Sequence, residues 1–208
     1  AAKKLRLPFF ILGEGSNLLV SDQGYKGLVI KAGKPLSSYV SKGLEWAAGI
    51  PGTIEGAVYG NAGAFGKSMK DAVESVEVFD AKRNKIKFFK NKECQFTYRD
   101  SIFKKNKNLI ILSVKIKFQK SSLNKIKEYL NYKKDTQPLN FPSAGSVFKN
   151  PPGFFAGELI ERCGLKGKKI GDVQISEKHA NFIVNLGQGR ARDVKKLINL
   201  AKKSVKNK

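Results

Sequence analysis

Glycine and small polar residues follow the first apolar run of the sequence, in the order Gly13-Glu14-Gly15-Ser16-Asn17. Glycine lets the backbone approach an anion closely and adopt positive φ, while Ser16 and Asn17 can donate hydrogen bonds to phosphate oxygens. The loop is not the dinucleotide fingerprint G-x-G-x-x-G, because the third glycine is absent and a strand-like run follows instead of a helix. The pattern therefore indicates either a phosphate-binding loop or an ordinary tight turn.

A second group of small residues runs through Ala47-Ala48-Gly49-Ile50-Pro51-Gly52-Thr53 and continues, after Gly56-Ala57, in Asn61-Ala62-Gly63-Ala64-Phe65-Gly66. So many small residues leave the backbone largely uncovered by side chains, so a flat ligand and its diphosphate could lie directly against backbone amides. The alternative is a tightly packed helix and loop that binds nothing.

Two later loops carry reactive or charged side chains. One is Tyr98-Arg99-Asp100-Ser101, and the other is Pro142-Ser143-Ala144-Gly145-Ser146-Val147-Phe148-Lys149-Asn150-Pro151. Secondary-structure propensity gives little reason for Ser146 between Gly145 and a short apolar pair, and Lys149 and Asn150 add a cation and an amide donor. Such loops are commoner at ligand sites than in neutral connectors, although each alone could be a surface turn.

The elements that would position these loops follow from periodicity. Strands are expected at residues 8–12, 18–20, 28–30, 76–79, 86–89 and 109–118, and helices at residues 122–132, 157–163 and 191–205. The first strand is expected to be buried, and a turn at residues 80–84 predicts a hairpin. The fold class is α+β, with a boundary around residues 120–137, where a lysine-rich helix joins two motif-bearing halves.

Composition excludes several classes of protein. The 208 residues are 41% hydrophobic and include no apolar run long enough to cross a bilayer, so we expect a globular chain. The start, Ala1-Ala2-Lys3-Lys4-Leu5, lacks the features of an export signal. Cys94, Cys163 and the single His179 predict no disulfide framework, no metal site and no Ser-His-Asp hydrolase.

The net charge of +23 will attract polyanions. Lysines are scattered along nearly every segment, and no zinc-finger, RRM-like or helix-turn-helix signature is visible. We therefore favour a lysine-rich solvated surface over a dedicated nucleic-acid partner, with attraction of small phosphate-bearing ligands as a further use.

Together and in this order, the motifs resemble the UDP-N-acetylenolpyruvoylglucosamine reductases (MurB), in the subtype with the shorter substrate domain. The resemblance covers most of the chain. The matching segments are Gly13-Glu14-Gly15-Ser16-Asn17-Leu18-Leu19-Val20, Gly49-Ile50-Pro51-Gly52-Thr53, Asn61-Ala62-Gly63, Tyr98-Arg99-Asp100-Ser101, Gln137-Pro138 through Asn150-Pro151, and Ser176-Glu177-Lys178-His179-Ala180-Asn181-Phe182.

The resemblance implies an FAD-binding fold of the vanillyl-alcohol-oxidase (PCMH) type, with two subdomains, in residues 1–120, and a smaller α+β substrate-binding domain in residues 121–208. It implies that NADPH reduces the flavin, which then reduces UDP-N-acetyl-3-O-(1-carboxyvinyl)-glucosamine to UDP-N-acetylmuramate for peptidoglycan synthesis. A cytoplasmic, monomeric enzyme with no membrane partner is expected.

The family's residue roles carry over by motif. Ser146 is implied to donate a proton to the substrate carbon, and Arg99 to stabilise the developing enolate, for which its planar fork suits a carboxylate. The implied cofactor-binding residues are Gly13, Gly15, Ser16, Asn17, Gly49, Ile50, Pro51, Gly52, Thr53, Asn61, Ala62 and Gly63. The implied substrate-binding residues are Tyr98, Lys133, Lys149, Asn150, Lys178 and His179.

The chain departs from the family pattern at several places. Glu55 stands where the family usually has glycine, and a carboxylate near a flavin diphosphate is repulsive unless it points away. Lys133 replaces the usual arginine, exchanging a fork for a point charge. Residues 32–44 are shorter than the family's, and the family's glutamate in a Leu-Glu-Pro-Glu-like segment has no counterpart before Lys208, so we expect segments to be missing from this sequence.

Two other functions remain as alternatives. One is a catalytically dead, basic module that uses this fold to hold a nucleotide or a nucleic acid. The other is a flavin oxidase with the same FAD fold, which is disfavoured because Ser146 and the Asn150 region match the reductase's substrate domain.

Overall fold

The computed structural model describes residues 7–208, which form two compact units. The first unit holds the described residues up to Gly15 together with Gly27–Asn131, and the second holds Ser16–Lys26 together with Tyr132–Lys208. Residues 1–6, which include the start inspected for an export signal, lie outside the described residues. Within the described part of the chain, no helix has the length and apolar character that a membrane crossing needs.

The first unit is built around a short helix and a three-stranded antiparallel sheet. Its elements are β1 (Phe9–Leu12), β2 (Leu28–Lys31), α1 (Ile54–Tyr59), β3 (Gly63–Ala64), β4 (Lys67–Ser68), α2 (Met69–Ala72), β5 (Val73–Asp80), β6 (Lys85–Lys90), α3 (Ile102–Lys105), β7 (Leu109–Ile116) and α4 (Leu123–Thr136), with 3-10 turns at Leu36–Lys42, Glu45–Ala47 and Asn91–Cys94. The boundary between the units falls within α4.

The core of the first unit explains why α1 has a fixed position. The strand order is β6-β5-β7, and β5 buries Val73, Val76 and Val78 against α1 and its neighbours. Alternating apolar residues give a strand one buried face, as β5 has here. Thr53 caps α1, because its hydroxyl accepts a hydrogen bond from the Gly56 amide, and Ile54 on the same helix is fully buried.

The strand β1 was expected to be buried, and this expectation is wrong. Among residues 7–208, β1 pairs in parallel with β2 alone, and Phe9 and Phe10 are 37% and 39% exposed. A two-stranded pair cannot cover both of its own faces, so the apolar run forms a strand without forming a core.

The second unit is a four-stranded antiparallel sheet with two helices. Its elements are β8 (Ser143–Ser146), α5 (Ala156–Arg162), β9 (Lys169–Ile170), β10 (Val173–Ile175), β11 (Phe182–Asn185) and α6 (Ala191–Lys206). The strand order is β8-β11-β10-β9. Ile160, Leu197 and Ile175 bring α5, α6 and the sheet into one hydrophobic core.

Asp22 attaches residues 16–26 to this unit. Its carboxylate accepts hydrogen bonds from the amides of Ala191 and Arg192, at 2.7 and 3.0 Å, where α6 begins. These two backbone donors lower the pKa of Asp22. The carboxylate supplies acceptors that the first turn of a helix otherwise lacks.

Most predicted elements are confirmed, including the mixed α and β composition, the hairpin of β5 and β6, β7 and the helices α4, α5 and α6. The predicted strand at residues 18–20 is wrong, since this apolar triplet pairs with no strand in the described part of the chain and its side chains are exposed. Residues 16–26 group with residues 132–208 in the second unit. The functional domains expected at residues 1–120 and 121–208 stay a prediction.

Candidate active site

Two of the predicted loops meet in the first unit. A Cβ atom added to Gly13 would lie 2.8 Å from Thr53 Oγ1, and one added to Gly33 would lie 2.8 Å from the Thr53 Cβ and Oγ1 atoms. No real Cβ contact is that short, so both positions need glycine. We call this place, where Gly13, Gly33, Gly52 and Thr53 converge, the glycine cradle. Gly13 and Gly33 thus bring bare backbone close to Thr53.

Two carboxylates bind amides of the glycine cradle. Glu14 Oε2 accepts a hydrogen bond from the Gly52 amide at 2.9 Å, and Glu55 Oε2 accepts one from the Lys34 amide at 2.9 Å. A Cβ atom on Gly33 would lie 2.5 Å from Glu55 Oε2, which shows how closely this carboxylate abuts the backbone. Glu55 therefore points into the cradle wall and not away from it.

The other predicted cofactor residues take several positions. Gly49 and Gly52 have φ of +72° and +119°, and Gly15 has φ of +72°, so these loops turn where glycine is favoured. Ile50 packs against the first unit's core. The remaining residues of the two motifs are Pro51, in the same loop, and Ser16 and Asn17, which belong to the second unit.

The far end of α1 holds the Asn61-Ala62-Gly63 loop against Arg99. Asn61 is 4% exposed, and its side chain donates to the Thr97 carbonyl at 2.8 Å and accepts from the Lys70 amide at 3.0 Å. Both polar atoms of Asn61 thus serve the protein's own backbone. The six residues of α1 span about 9 Å, which separates this loop from the glycine cradle.

Arg99 is fixed by its neighbours. Its Nη2 donates to the Gly63 carbonyl at 2.7 Å, and its guanidinium carbon lies 5.4 Å from the centroid of the Tyr98 ring. Arg99 has φ of +55°, a left-handed conformation that costs a non-glycine residue free energy. Ser101 supports this turn, since its hydroxyl donates to the Tyr59 carbonyl at 2.7 Å. The result is a preorganised cation beside a glycine-lined loop.

The second unit contains a cavity of about 380 Å³, within the usual size range of small-molecule sites. Four predicted site residues line it, namely Ser146, Asn150, Lys178 and His179. The other lining residues are Tyr132, Phe155, Gly157, Glu158, Glu161, Ala180 and Asn181. One site thus collects residues from β8, α5 and the segment before β11.

Asn181 holds the loop that follows Ser146. It is 4% exposed, its Oδ1 accepts from the Phe148 amide at 2.8 Å, and its Nδ2 donates to the Phe148 carbonyl at 2.9 Å. Asn150 fixes the far end of this loop, since its Oδ1 accepts a hydrogen bond from the Ala156 amide at 3.0 Å, where α5 begins. Ser146 is therefore presented from a loop anchored at both ends.

His179 and Lys178 differ in their electrostatic roles. Burial lowers the pKa of His179, so its imidazole is neutral near pH 7, and its Nδ1 accepts a hydrogen bond from the Asn181 amide at 3.2 Å. Lys178 is exposed and donates to the Lys134 carbonyl at 2.6 Å. The cavity therefore has a lysine ammonium, held by a backbone carbonyl, beside a neutral imidazole.

Lys149 and Lys133 lie elsewhere. Lys149 is exposed and does not line the cavity, although its neighbour Asn150 does. Lys133 is only 5% exposed on α4, and burial lowers its pKa to about 8. Its ammonium is therefore a buried group with a lowered pKa, which differs from an exposed lysine on a binding surface.

Sequence reasoning missed the lining residues of α5 and the role of Asn181. Asn181 lies in the motif of residues 176–182, and its position two residues after His179 was the available signal. Glu158 and Glu161 lie one helical turn apart, so an i,i+3 pair on α5 could have marked the lining face. Among residues 7–208, no cluster of acidic, histidine or cysteine side chains could hold a metal ion.

Comparison with known proteins shows what this chain is similar to. A family model described as "UDP-N-acetylenolpyruvoylglucosamine reductase, C-terminal domain" matches residues 137–208. The UDP-N-acetylenolpyruvoylglucosamine reductase of Caldanaerobacter subterraneus subsp. tengcongensis is 45% identical over 232 positions, which cover 98% of this chain and 76% of that protein. The enzyme of the same name from Caldicellulosiruptor bescii is 43% identical, with 98% and 74% covered. The crystal structure of the Thermus caldophilus enzyme (MurB) matches with a TM-score of 0.85 and 36% identity, covering 98% of this chain and 85% of that one.

These findings place the chain among the oxidoreductases, as a mixed α and β enzyme with a small-molecule cavity. The chain belongs to the UDP-N-acetylenolpyruvoylglucosamine reductase family. The alignment with the first relative spans 232 positions, more than the 208 residues here, so that relative has internal residues without a counterpart in this chain. The expected shortening at residues 32–44 is one place for them and stays a prediction.

Proposed function

We propose that this chain is an FAD-dependent reductase that uses NADPH to convert UDP-N-acetyl-3-O-(1-carboxyvinyl)-glucosamine to UDP-N-acetylmuramate. The step belongs to peptidoglycan synthesis, and we propose a cytoplasmic monomer. Membership of the family supports the reaction. The observation that carries the proposal is the cavity that gathers Ser146, Asn150, Lys178 and His179, four residues assigned to catalysis or substrate binding by their motifs.

The glycine cradle supports binding of a flavin dinucleotide, in a domain of the PCMH type. Side chains are excluded at Gly13 and Gly33, where even a methyl group would strike Thr53. Backbone amides on glycine-rich loops are good donors to phosphate. We assign the residues of the two glycine motifs to the diphosphate and the ring. When bound, FAD would carry a hydride from NADPH to the substrate alkene.

Arg99 is proposed to stabilise the negative charge that develops on the substrate carboxylate and enolate. A guanidinium offers five donors in a fixed fork, and one of its donors, Nη2, binds the Gly63 carbonyl here. A cation that is fixed before the reaction does not have to reorganise as charge develops. The left-handed backbone of Arg99 is consistent with such a demand on geometry.

Ser146 is proposed to deliver the proton to the substrate carbon that gains carbanion character. Ser146 is exposed and lines the cavity at the end of β8, where Gly145 adopts φ of +76°. Serine is a weak acid in water, but an adjacent enolate and a fixed cation make its proton transfer feasible. Lys178 and the neutral His179 are proposed to hold the phosphates and hydroxyls of the UDP-sugar, with Tyr98, Lys133, Lys149 and Asn150.

Two half-reactions test the role of Ser146. We expect Ser146→Ala to leave reduction of the flavin by NADPH unchanged and to slow its reoxidation by the enolpyruvyl UDP-sugar by about 10²-fold to 10⁴-fold, the usual range for loss of a general acid. Anaerobic stopped-flow absorbance of the flavin measures both steps. Ser143→Ala, at the other end of β8, is the matched control and should affect neither.

The outcomes separate the possible errors. Equal loss in both half-reactions would contradict the role of Ser146, because a proton donor to the substrate takes no part in flavin reduction. A purified protein without a flavin absorption band, and unable to take up FAD, would contradict the proposed reaction itself.

A further inference from the structure

Glu55 holds a backbone donor that faces the glycine cradle. Its Oε2 lies 2.9 Å from the Lys34 amide, and the neighbouring Gly33 has φ of +110° with no room for a side chain. The contact joins the residues after β2 to the first turn of α1, 21 positions apart in the sequence. Lys34 and Glu55 are further tied by a backbone bond of 2.9 Å from the Ile54 amide to the Lys34 carbonyl.

A carboxylate in this position resembles a bound anion. Phosphate and carboxylate oxygens both accept charge-assisted hydrogen bonds from backbone amides, so they compete for the same donors. Glu14 takes the Gly52 amide in the same way, which places two formal negative charges on amides next to Thr53. Glu14 lies in the loop after β1, whereas Glu55 lies in the first turn of α1.

We propose that Glu55 acts as a built-in competitor of the cofactor's diphosphate, so that this chain binds FAD more weakly than the same cradle would without that carboxylate. This inference rests on the proposed function. Binding of a diphosphate either displaces Glu55 from the Lys34 amide or brings like charges close together, and both cost free energy. Before the cofactor binds, the same carboxylate keeps the Lys34 amide paired and the loop closed on α1.

The test is a titration of FAD binding to the apoprotein. Glu55→Gln removes the charge and keeps an oxygen that can accept from the Lys34 amide, so the fold is preserved. We expect its dissociation constant for FAD to fall by about tenfold, which corresponds to about 1.4 kcal/mol. Riboflavin, which has the ring but no phosphate, should bind both forms equally. Quenching of flavin fluorescence measures both ligands.

Two controls separate charge from other effects. Glu74→Gln makes the same charge change on the surface of the same unit, where Glu74 is ion-paired with Lys115, and should leave FAD affinity unchanged. High salt should shrink the advantage of Glu55→Gln, because screening weakens repulsion between charges that solvent reaches. Glu55→Ala, which loses both the charge and the acceptor, should lower the melting temperature of the apoprotein and still bind FAD more tightly than wild type.

Failure can be read in two distinct ways. If wild type and Glu55→Gln bind FAD with equal affinity, or if riboflavin gains as much as FAD, this inference is wrong and the flavin assignment stands. If neither form binds FAD under any condition, the proposed function is wrong and this inference with it.

Discussion

Removing the Asn181 side chain should loosen the site without touching a proposed catalytic group. Asn181→Ala deletes two hydrogen bonds to the Phe148 backbone, at 2.8 and 2.9 Å, from a residue that is 4% exposed. Each such bond contributes about 0.5–1.5 kcal/mol, and the Phe148 groups left behind lose their partner. We therefore expect the free energy of unfolding to fall by about 2–3 kcal/mol.

Differential scanning calorimetry is the suitable assay, because two units can unfold in separate transitions. A loss of this size in a chain of about 200 residues lowers the melting temperature by about 4–12 °C. Asn124→Ala, at an exposed position on α4, is the matched control and should change stability little.

The rates of the two half-reactions are a second measurement on Asn181→Ala. Because Asn181 anchors the loop after Ser146, its loss should slow the substrate half-reaction more than the NADPH half-reaction. The reasoning would be refuted if Asn181→Ala unfolded within about 0.5 kcal/mol of wild type, the size of an ordinary surface substitution.

Two further predictions concern the buried Lys133 and the closely packed Gly63. Burial lowers the pKa of Lys133 in the folded state to about 8, from its ordinary 10.5, so the folded state loses this proton at a lower pH than the unfolded state does. Burying the charged ammonium costs roughly 2 kcal/mol of stability after allowance for solvent, and this cost is present in full below pH 8. The stability of wild type relative to Lys133→Met should therefore rise between pH 8 and 10.5 in chemical denaturation, and a flat difference would contradict the burial. Gly63→Ala should disturb the Arg99 contact and the fold, because its Cβ would lie 2.5 Å from the Lys67 carbonyl, whereas Gly60→Ala, with its Cβ 3.7 Å from the nearest atom, should be tolerated in thermal melts.

Local sequence predicted those parts of the fold whose signals are local. The hairpin of β5 and β6 was predictable because apolar residues alternate on both sides of a turn, and the structure shows how that turn is fixed. Asp80 is 1% exposed, accepts from the Lys82 and Arg83 amides, and pairs with Lys87 at 2.8 Å. The pKa of Asp80 is lowered first by the Lys87 hydrogen bond.

Residues 18–20 show where local reasoning fails. The triplet is apolar and β-prone, but a strand also needs a partner with free backbone groups, and sequence does not reveal which unit a segment joins. The anchoring contact of this segment is Asp22 on the start of α6, 169 positions away from Ala191. A contact between residues so far apart produces no periodic pattern in the local sequence.

The candidate site divides in the same way. The close backbone approaches at Gly13 and Gly63 were predictable, because runs of glycine and small residues are visible in the sequence. The hydrogen bonds of Glu14 and Glu55 to cradle amides have no comparable pattern in the sequence. The residues that line the cavity could be identified only once the order of the strands in the sheet was known. β8 lies beside β11, which places Ser146 opposite Phe182 across 36 residues and so brings it near the His179 segment. Antiparallel pairing puts facing side chains about 5 Å apart, so the register of two strands, which the sequence does not display, decides which residues share the cavity.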